Sequence, residues 1–437
     1  MRRKARRGGG RQAELTIESL GGRGDGVAIH EGKPVFVPFT LPGESVRVRL
    51  VGERSAGFKA ELVEIGTLSP ERVEPPCPHF GPCGGCAVQH LADAAYRRWT
   101  RDQVVQALER RGFASPPVGE PLFVPLNSRR RTTLAAQLSK GGALKLGFHG
   151  RESHTVEDIR TCYILRPELM ALLSGLRTAL KQALTPGETA DVALLASESG
   201  IDLLLTSKHE PGLAGRQALA ALAEAADLAR ISWSPARPAG DEPEIAEPLA
   251  VRRAPVVTFA GIPVEPPPGG FVQPTAEGEA ALTDAVTGWL GEIAGPVIDL
   301  YAGCGTFTFP LAKRGQVHAV EGAESAMASL WQAARRNDLA GRITAEVRDL
   351  AAEPLDAEEL EPFAAAVFDP PRAGAKGQAE ALARSEVPVV VALSCNPNTF
   401  GRDARALADG GYRLEEVRPI DQFPWSGHVE LAALFRR

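Results

Sequence analysis

The spacing of hydrophobic and polar residues changes along the chain and predicts three kinds of structure. Across 13–66, apolar and polar residues alternate in short runs separated by glycine turns. This pattern predicts about five short strands, either in a small barrel of the oligonucleotide-binding type or in a plain β module. Residues 92–111, 166–184 and 215–230 have helical spacing, with further short strands between them. From about residue 271, strands and helices alternate, which predicts a doubly wound parallel sheet.

One strand of this C-terminal part leads into a turn that contains a cysteine. An apolar run at 389–393 predicts a buried strand, and the polar turn 394–397 precedes a helix predicted over 398–407. Cys395 therefore lies between the end of a strand and the start of a helix, where the helix dipole lowers a thiol pKa. The sequence predicts a nucleophile there, with a buried structural cysteine as the alternative.

A glycine turn predicts a nucleoside site in the same sheet. The strand 297–301 leads into Gly303-Cys304-Gly305, and the next strand ends in Glu321. An acid at that position binds ribose hydroxyls. The turn lacks the third glycine of a dinucleotide site and the lysine of a phosphate loop, so S-adenosylmethionine is the cofactor that fits. Two further strands end in acids at the same edge, and these are Asp349 and Asp369.

Three of the six cysteines fall within ten residues, and a fourth stands alone downstream. Four thiolates in a reducing compartment form a metal or cluster site. Zinc and an iron–sulfur cluster both accept four thiolates, and a disulfide pair is the remaining alternative. The four candidates are Cys77, Cys83, Cys86 and Cys162.

Composition narrows the class of protein. The chain has 437 residues, 44% hydrophobic and 24% charged, which predicts a globular protein of two to four domains. It has no apolar run of about 18 residues for a membrane span, and the basic N-terminus is not followed by the apolar region of a signal peptide. We therefore expect a cytoplasmic protein without membrane contact.

Charge is distributed unevenly along the chain, although the net charge of −5 does not by itself indicate nucleic acid. Four segments are rich in arginine and lysine, and each is either solvated surface or a contact to RNA phosphates. They comprise Arg2, Arg3, Lys4, Arg6, Arg7 and Arg11 in the tail, Arg47 and Arg49 on one predicted strand face, Arg97, Arg98, Arg101, Arg110 and Arg111 on a predicted helix, and the run Arg129, Arg130 and Arg131.

Taken in order, these motifs resemble the RNA 5-methyluridine methyltransferases that carry an iron–sulfur cluster. The resemblance extends over nearly the whole chain. Its most specific parts are Cys77-x5-Cys83-x2-Cys86 with Cys162, Phe271-Val272-Gln273-Pro274, the segment 299–307, Asp369-Pro370-Pro371-Arg372, Ser394-Cys395-Asn396-Pro397 and His428-Val429-Glu430.

The resemblance implies an α/β Rossmann-like methyltransferase domain with an N-terminal TRAM-like β-barrel and a central α+β domain. The expected boundaries are a basic tail at 1–12, the barrel at 13–68, a central domain with the cluster loop at 69–265 and the catalytic domain at 266–437.

The resemblance also implies a reaction. The protein is expected to transfer a methyl group from S-adenosylmethionine to carbon 5 of a uridine in RNA, with 23S ribosomal RNA favoured. Cys395 is implied as the nucleophile that adds to carbon 6, and Glu430 as the base. A 4Fe-4S cluster is favoured over zinc at Cys77, Cys83, Cys86 and Cys162. The implied S-adenosylmethionine site comprises Gln273, Tyr301, Thr306, Glu321, Asp349 and Asp369.

Alternatives to this function remain. A transfer RNA substrate keeps the same chemistry. An RNA amino-group methyltransferase would use an Asp-Pro-Pro-aromatic motif, but Arg372 occupies the aromatic position. An RNA-binding protein without catalysis is the third possibility. The family also often has asparagine at the positions of Thr306 and Asp349, and both residues present here form hydrogen bonds. We expect a monomer.

Overall fold

A computed structural model describes residues 11–54, 57–236, 246–292 and 294–437 of the chain. Most of the predicted basic tail lies outside these residues, and so does part of the surface loop predicted at 234–243. No helix within the described ranges has the length and apolar character needed to cross a membrane.

Six strands at the N-terminus form one sheet. They are β1 (Gln12–Thr16), β2 (Ser19–Leu20), β3 (Asp25–His30), β4 (Lys33–Pro38), β5 (Ser45–Arg54) and β6 (Gly57–Thr67). The order is β1-β5-β6-β4-β3-β2, and only two residues separate the edge strands β1 and β2 in the chain. The sheet therefore curls back on itself around a core that includes Ile17, Val35 and Val48. We call it the N-terminal barrel.

The predicted basic face of this barrel is neutralised by acids. Arg47 and Arg49 lie on the outward side of β5, as alternation predicts. Arg47 pairs with Glu64 of β6, and Arg49 lies 2.8 Å from Glu61 on the same strand. The two arginines therefore share one face, as predicted, and each faces an acid across the sheet.

A second sheet has seven strands with two helices packed together on it. The elements of this region are α1 (Asp93–Glu109), β7 (Leu122–Phe123), β8 (Arg131–Leu138), β9 (Leu144–His149), β10 (Val156–Asp158), α2 (Pro167–Ala183), β11 (Thr189–Ser197), β12 (Gly200–Ser207), α3 (Leu213–Ala225), β13 (Arg230–Pro235) and β14 (Glu247–Val251). The sheet order is β10-β9-β8-β11-β12-β13-β14, and leucines of α2 and α3 fill its core. Strand β13 begins where the sequence predicted a helix end.

The third sheet organises the C-terminal part. Its region contains β15 (Val257–Phe259), β16 (Ile262–Val264), α4 (Ala276–Leu290), β17 (Val297–Leu300), α5 (Thr308–Ala312), β18 (Val317–Glu321), α6 (Glu324–Arg336), β19 (Ile343–Val347), α7 (Ala357–Leu360), β20 (Ala365–Phe368), α8 (Lys376–Arg384), β21 (Val389–Ser394), α9 (Pro397–Asp409), β22 (Arg413–Asp421) and β23 (Glu430–Arg436).

Eight strands pair in this sheet in the order β19-β18-β17-β20-β21-β23-β22-β7. Only β23 is reversed, since it pairs antiparallel with both β21 and β22. Strands β20, β21 and β23 are buried along nearly their whole length, as expected where helices cover both faces. The doubly wound sheet is confirmed. The strands that follow β17 in the chain lie on one side of it up to β19 and on the other side from β20. Folds of this kind bind ligands at the point where the strand order reverses in this way.

Two elements of the predicted central range pack against the C-terminal sheet instead. Strand β7 is the edge strand beside β22. Helix α1 contributes Val104 and Leu108 to the core that contains Phe400 and Leu407 of α9. The segment between the barrel and the second sheet therefore joins the catalytic sheet, while the domain boundaries themselves stay a prediction.

Candidate active site

The glycine turn after β17 is tied to the acid at the end of β18. Glu321 accepts a hydrogen bond from the Gly303 N–H (2.9 Å) and another from the Ala323 N–H (2.8 Å). Gly305 has a φ of 100°, and a Cβ there would lie 2.4 Å from the ring of Phe309. The turn therefore requires glycine at this position. Tyr301 follows β17 directly, and burial, together with the acids Asp403, Asp349 and Glu321, raises the pKa of its hydroxyl to about 12.

Asp369 and Gln273 meet at the same edge. Asp369 follows β20, and its Oδ2 accepts a hydrogen bond from the Gln273 amide (3.0 Å). Burial raises the pKa of Asp369 to about 7, and the Gln273 hydrogen bond acts against that rise. Asp349 is exposed and caps the turn after β19, because its Oδ1 accepts from the Ala351 N–H (2.9 Å).

Cys395 lies where the sequence predicted, but its thiol is not activated. It follows β21 and precedes Asn396, whose side chain caps α9 by accepting the Asn398 N–H (3.1 Å). Burial, with Glu430 and Asp369 nearby, raises the pKa of Cys395 to about 12. The predicted lowering by the helix dipole is wrong, because burial and two acids outweigh it.

Glu430 is the residue opposite Cys395 in the sheet. Ser394 pairs with Leu431, so the next residue on each antiparallel strand, Cys395 and Glu430, face each other at the end of β21. Glu430 is buried at the start of β23, and its Oε1 has no hydrogen-bond partner within the described residues. Burial and Asp369 raise its pKa well above the usual range. Glu430 is therefore a buried acid and not part of the solvated surface.

The four candidate cysteines line one cavity of about 470 Å³. None of them is in a disulfide. In the described ranges, no three His, Cys, Asp or Glu side chains are grouped closely enough for a metal ion. Burial raises the pKa of Cys83 and Cys162, and that of Cys86 to about 12. Other residues that line this cavity include Arg129, Arg131, Phe423, Pro424, Ser426 and His428.

A larger cleft of about 1160 Å³ runs from the N-terminal barrel to Cys395. Helix α1 and the loop after β9 form its sides. Phe36, Phe39, Phe58 and Trp99 line it together with five cations, and these are Arg23, Lys59, Arg110, Arg151 and Arg372. Four acids also line it, and two of the cations are paired with acids, since Arg151 contacts Asp25 and Lys59 contacts Glu152. The cleft thus combines aromatic rings and charges of both signs with an open path to the thiol.

The arginine run at 129–131 does not form a free phosphate grip. Arg130 is buried and pairs with Glu279 at 2.6 Å. Arg129 lies over the ring of Phe423, and Arg131 lies over that of Phe271. Arg130 therefore fits neither alternative given for this run, solvated surface or phosphate contact, because it is buried and paired inside the protein.

The chain matches known protein families in both its C-terminal and its N-terminal part. The family model described as tRNA (Uracil-5-)-methyltransferase matches residues 263–437, and that of the TRAM domain matches residues 6–54. An RNA methyltransferase of Mesorhizobium japonicum is 41% identical over 97% of each chain. The 23S rRNA (uracil(1939)-C(5))-methyltransferase RlmD of Aeromonas hydrophila is 33% identical over 97% of this chain and 96% of its own. The chain belongs to the RNA (uracil-5) methyltransferase family.

Membership in the RNA (uracil-5) methyltransferase family confirms the resemblance and makes the protein an S-adenosylmethionine-dependent enzyme that acts on RNA. A solved tRNA (uracil-54, C5)-methyltransferase from Pyrococcus abyssi, in complex with S-adenosyl-L-homocysteine, has a TM-score of 0.73. It is 23% identical and covers 97% of this chain and 100% of its own. This similarity confirms the predicted fold class.

The sequence did not predict how the loop 422–429, which connects β22 to β23, is held in place. Trp425 has a φ of 60°, a left-handed conformation unusual for a bulky residue. Its carbonyl accepts from the N–H groups of Ala87 (2.7 Å) and Val88 (3.1 Å), next to the cysteine loop. Its own N–H donates to the Tyr96 hydroxyl (2.9 Å), which donates to Asp421. The loop that leads to Glu430 is thus held from two sides.

Replacing Tyr96 with phenylalanine is expected to loosen this loop. The change leaves the Trp425 N–H and the Asp421 Oδ2 without a partner, which costs about 1–3 kcal/mol of unfolding free energy. We expect a several-fold lower kcat as well, because the same loop places Glu430. Urea unfolding and methyl-transfer kinetics measure both effects. Tyr412→Phe, which removes a hydroxyl bound to Val387 elsewhere in the domain, should cost stability alone. An unchanged kcat in Tyr96→Phe would contradict this role of the loop.

Proposed function

We propose that the protein methylates carbon 5 of a uridine in RNA through a covalent bond between the Cys395 sulfur and carbon 6. The observation that carries this proposal is the placement of Cys395 opposite Glu430 at the end of the cleft. A buried carboxylate oxygen without a partner is expensive unless it has a function, and proton abstraction supplies one.

The chemistry requires both residues because carbon 5 of uracil reacts poorly with a methyl sulfonium. Addition of the Cys395 thiolate to carbon 6 converts the ring to an enolate, and carbon 5 then attacks the methyl group. S-adenosylhomocysteine leaves at this step. Glu430 removes the proton from carbon 5, the electron pair reforms the ring double bond, and the carbon–sulfur bond breaks.

The raised pKa of Cys395 supports a nucleophile that is protected at rest. Without RNA, burial and the neighbouring acids hold the sulfur as a thiol, which reacts slowly with oxidants. Arg372 acts in the opposite direction and lowers the pKa of Cys395. On this proposal the thiol loses its proton to solvent in the cleft only when uracil enters and changes the surroundings of Cys395, Glu430 and Asp369.

The cofactor is proposed to bind along the carboxyl edge of the sheet. The tie between Glu321 and Gly303 supports ribose binding beside the turn. The contact of Gln273 with Asp369 brings a second polar pair to the same edge. The full proposed set is Gln273, Tyr301, Thr306, Glu321, Asp349 and Asp369.

RNA is proposed to enter along the cleft, with the target base turned out of its stack. Aromatic rings and cations along the cleft suit a splayed single strand. Ribosomal RNA is favoured because a relative named for 23S rRNA aligns over nearly the whole chain. Transfer RNA is the second candidate, since the matching family model is described for it. A cytoplasmic monomer remains our expectation.

Methyl transfer from labelled S-adenosylmethionine to size-fractionated total RNA tests this function. We expect label in large ribosomal RNA as 5-methyluridine. The same nucleoside in transfer RNA would change the substrate and keep the chemistry. Label on an amino group would contradict the proposed role of Cys395.

The cysteines Cys77, Cys83, Cys86 and Cys162 are proposed to hold a 4Fe-4S cluster. Four thiols around one cavity supply the ligand set that such a cluster uses. When bound, the cluster would link the loop at 77–86 to Cys162 and stabilise the walls of the cavity.

Replacing Cys83 with serine is expected to remove iron and stability more than chemistry. Loss of one thiolate weakens cluster binding, and we expect the melting temperature to fall by about 5–10 °C. Iron and sulfide analysis after anaerobic purification, together with thermal unfolding, measures the effect. Stoichiometric zinc in the wild-type protein would rule out the cluster.

A further inference from the structure

Gln422 is a buried side chain that the proposed chemistry does not use. It follows β22 and has no exposed surface. Both ends of its amide are engaged, because Nε2 donates to the Gln273 Oε1 (3.0 Å) and Oε1 accepts from the Thr275 hydroxyl (3.2 Å). A buried amide is costly unless it is fully satisfied, so these contacts specify one orientation of the side chain.

These contacts are part of a longer chain that ends at Asp369. The Gln273 Nε2 donates to Asp369 Oδ2 (3.0 Å). At the other end, the Thr275 oxygen accepts the N–H of Gly278 (3.1 Å) as the cap of α4, and its hydroxyl proton goes to Gln422. Each donor therefore points the same way, from the start of α4 to the carboxylate. We call Thr275, Gln422, Gln273 and Asp369 the relay.

We propose that Gln422 is a positioning residue, which holds the Gln273 amide with its NH2 group on Asp369 and so keeps that carboxylate an ionised acceptor. The inference rests on the proposed assignment of Gln273 and Asp369 to the reaction site. Gln422 itself need not touch the cofactor or the uridine, since it acts through the amide of Gln273.

The two orientations of the Gln273 amide favour opposite protonation states. With NH2 on Asp369 the ionised carboxylate is satisfied, whereas a reversed amide would present oxygen to oxygen and require a protonated acid. The acid groups that interact with Asp369 are Asp299 on β17 and Glu430 on β23, with the Cys395 thiol after β21. Negative charge on Asp369 raises the pKa of each of these three groups.

The nearby cation does not remove this dependence. Arg130 donates to the Gln273 carbonyl (3.1 Å) and pairs with Glu279, so its charge is already compensated. Burial raises the pKa of Asp369 to about 7, so small changes in its hydrogen bonding alter its charge near neutral pH. The amide orientation is thus able to decide the state of the carboxylate.

Packing also holds Gln422 in place. A Cβ on Gly278 would lie 2.3 Å from the Gln422 Cδ, so helix α4 lies directly against the amide. The side chain has no room to turn towards other partners. Its position between α4 and Gln273 is therefore fixed by the fold as well as by hydrogen bonds.

The experiment compares Gln422→Glu and Gln422→Met with the wild type. Calorimetry of S-adenosylhomocysteine binding and the pH profile of kcat are measured from pH 6 to 9. A glutamate at 422 only accepts, so it turns the Gln273 NH2 away from Asp369. We expect the acid limb of both profiles to move alkaline by about one pH unit, with kcat about tenfold lower at pH 7. Gln422→Met should shift the acid limb of these profiles less.

Matched variants separate positioning from stability. Gln378→Glu places a carboxylate in another buried glutamine site, where both amide ends bond to Leu355, and should leave the pH profiles unchanged. Thr275→Ser keeps the relay and should behave as wild type, whereas Thr275→Val should shift the profiles. If the Gln422 variants fold poorly, the comparison of Thr275→Ser with Thr275→Val still tests the positioning role.

Unshifted profiles in Gln422→Glu and Thr275→Val would overturn the proposal and leave Gln422 a structural residue. A wild-type protein that binds S-adenosylhomocysteine but methylates no uridine would refute the proposed function instead. In that case the pH dependence of S-adenosylhomocysteine binding, measured by calorimetry, would still show whether the relay controls the protonation of Asp369.

Discussion

Replacing Cys395 with alanine is expected to abolish methyl transfer, with a rate loss of at least about 10⁴-fold. Without the sulfur, no adduct forms at carbon 6, and carbon 5 stays unreactive towards the methyl group. Affinity for S-adenosylmethionine should change less than about twofold, because Cys395 is not among the residues proposed to bind the cofactor. Single-turnover kinetics with labelled cofactor and calorimetry measure the two effects.

Cys304→Ala is the matched control for this change. Cys304 is buried in the glycine turn, and burial raises its pKa to about 12, as for Cys395. We expect Cys304→Ala to retain most activity, because its side chain has only a packing role. Cofactor binding lost in Cys395→Ala, or substantial methylation kept, would contradict the nucleophile assignment.

Replacing Glu430 with glutamine is expected to stop the reaction after methyl transfer. The amide keeps the size of the side chain but cannot accept the proton from carbon 5, so the methylated RNA should remain bonded to Cys395. Turnover should fall by about 10³-fold or more. A protein–RNA species that survives denaturing electrophoresis would measure the trapped adduct.

The same role predicts a pH dependence for the wild type. Burial and Asp369 raise the pKa of Glu430, so the ionised base is lost as pH falls through a value well above the usual range for glutamate. Activity should therefore still rise with pH above the range in which an exposed glutamate is already ionised. Glu415→Gln, at a partly exposed acid on β22, is the control and should leave adduct release unchanged. Fast release from Glu430→Gln would show that another group takes the proton.

The sequence was sufficient to predict the catalytic edge. Parallel strands end at one edge of a sheet, so an apolar run followed by a polar turn locates Cys395, Glu321 and Asp369 without a structure. The iron–sulfur and base assignments came only from the resemblance, because spacing alone did not distinguish zinc from a cluster or a base from a surface acid.

The electrostatics of the site were not predictable in the same way. The pKa of Cys395 depends on Asp369 and Glu430, which reach it from two other strands. Helix position alone therefore gave the wrong direction. The burial and pairing of Arg130 were not predictable for the same reason, since its partner Glu279 is distant in sequence.

Gln422 shows a further limit of sequence reasoning. A polar residue between a strand and a turn looks solvent-exposed by pattern, and only the fold places it against Gln273 and Thr275. The single signal available was its place in a short loop that leads to His428-Val429-Glu430. Buried polar networks require partners from several elements, and hydrophobic periodicity does not report them.

Trapping the adduct with RNA that contains 5-fluorouridine tests the central claim most directly. Fluorine at carbon 5 cannot leave as a proton, so the covalent intermediate should persist after methyl transfer. We predict a denaturation-resistant complex whose mass spectrum assigns the nucleotide to the peptide with Cys395, and none with Cys395→Ala. Methylation of normal RNA without any such complex, or an adduct on another residue, would contradict the account.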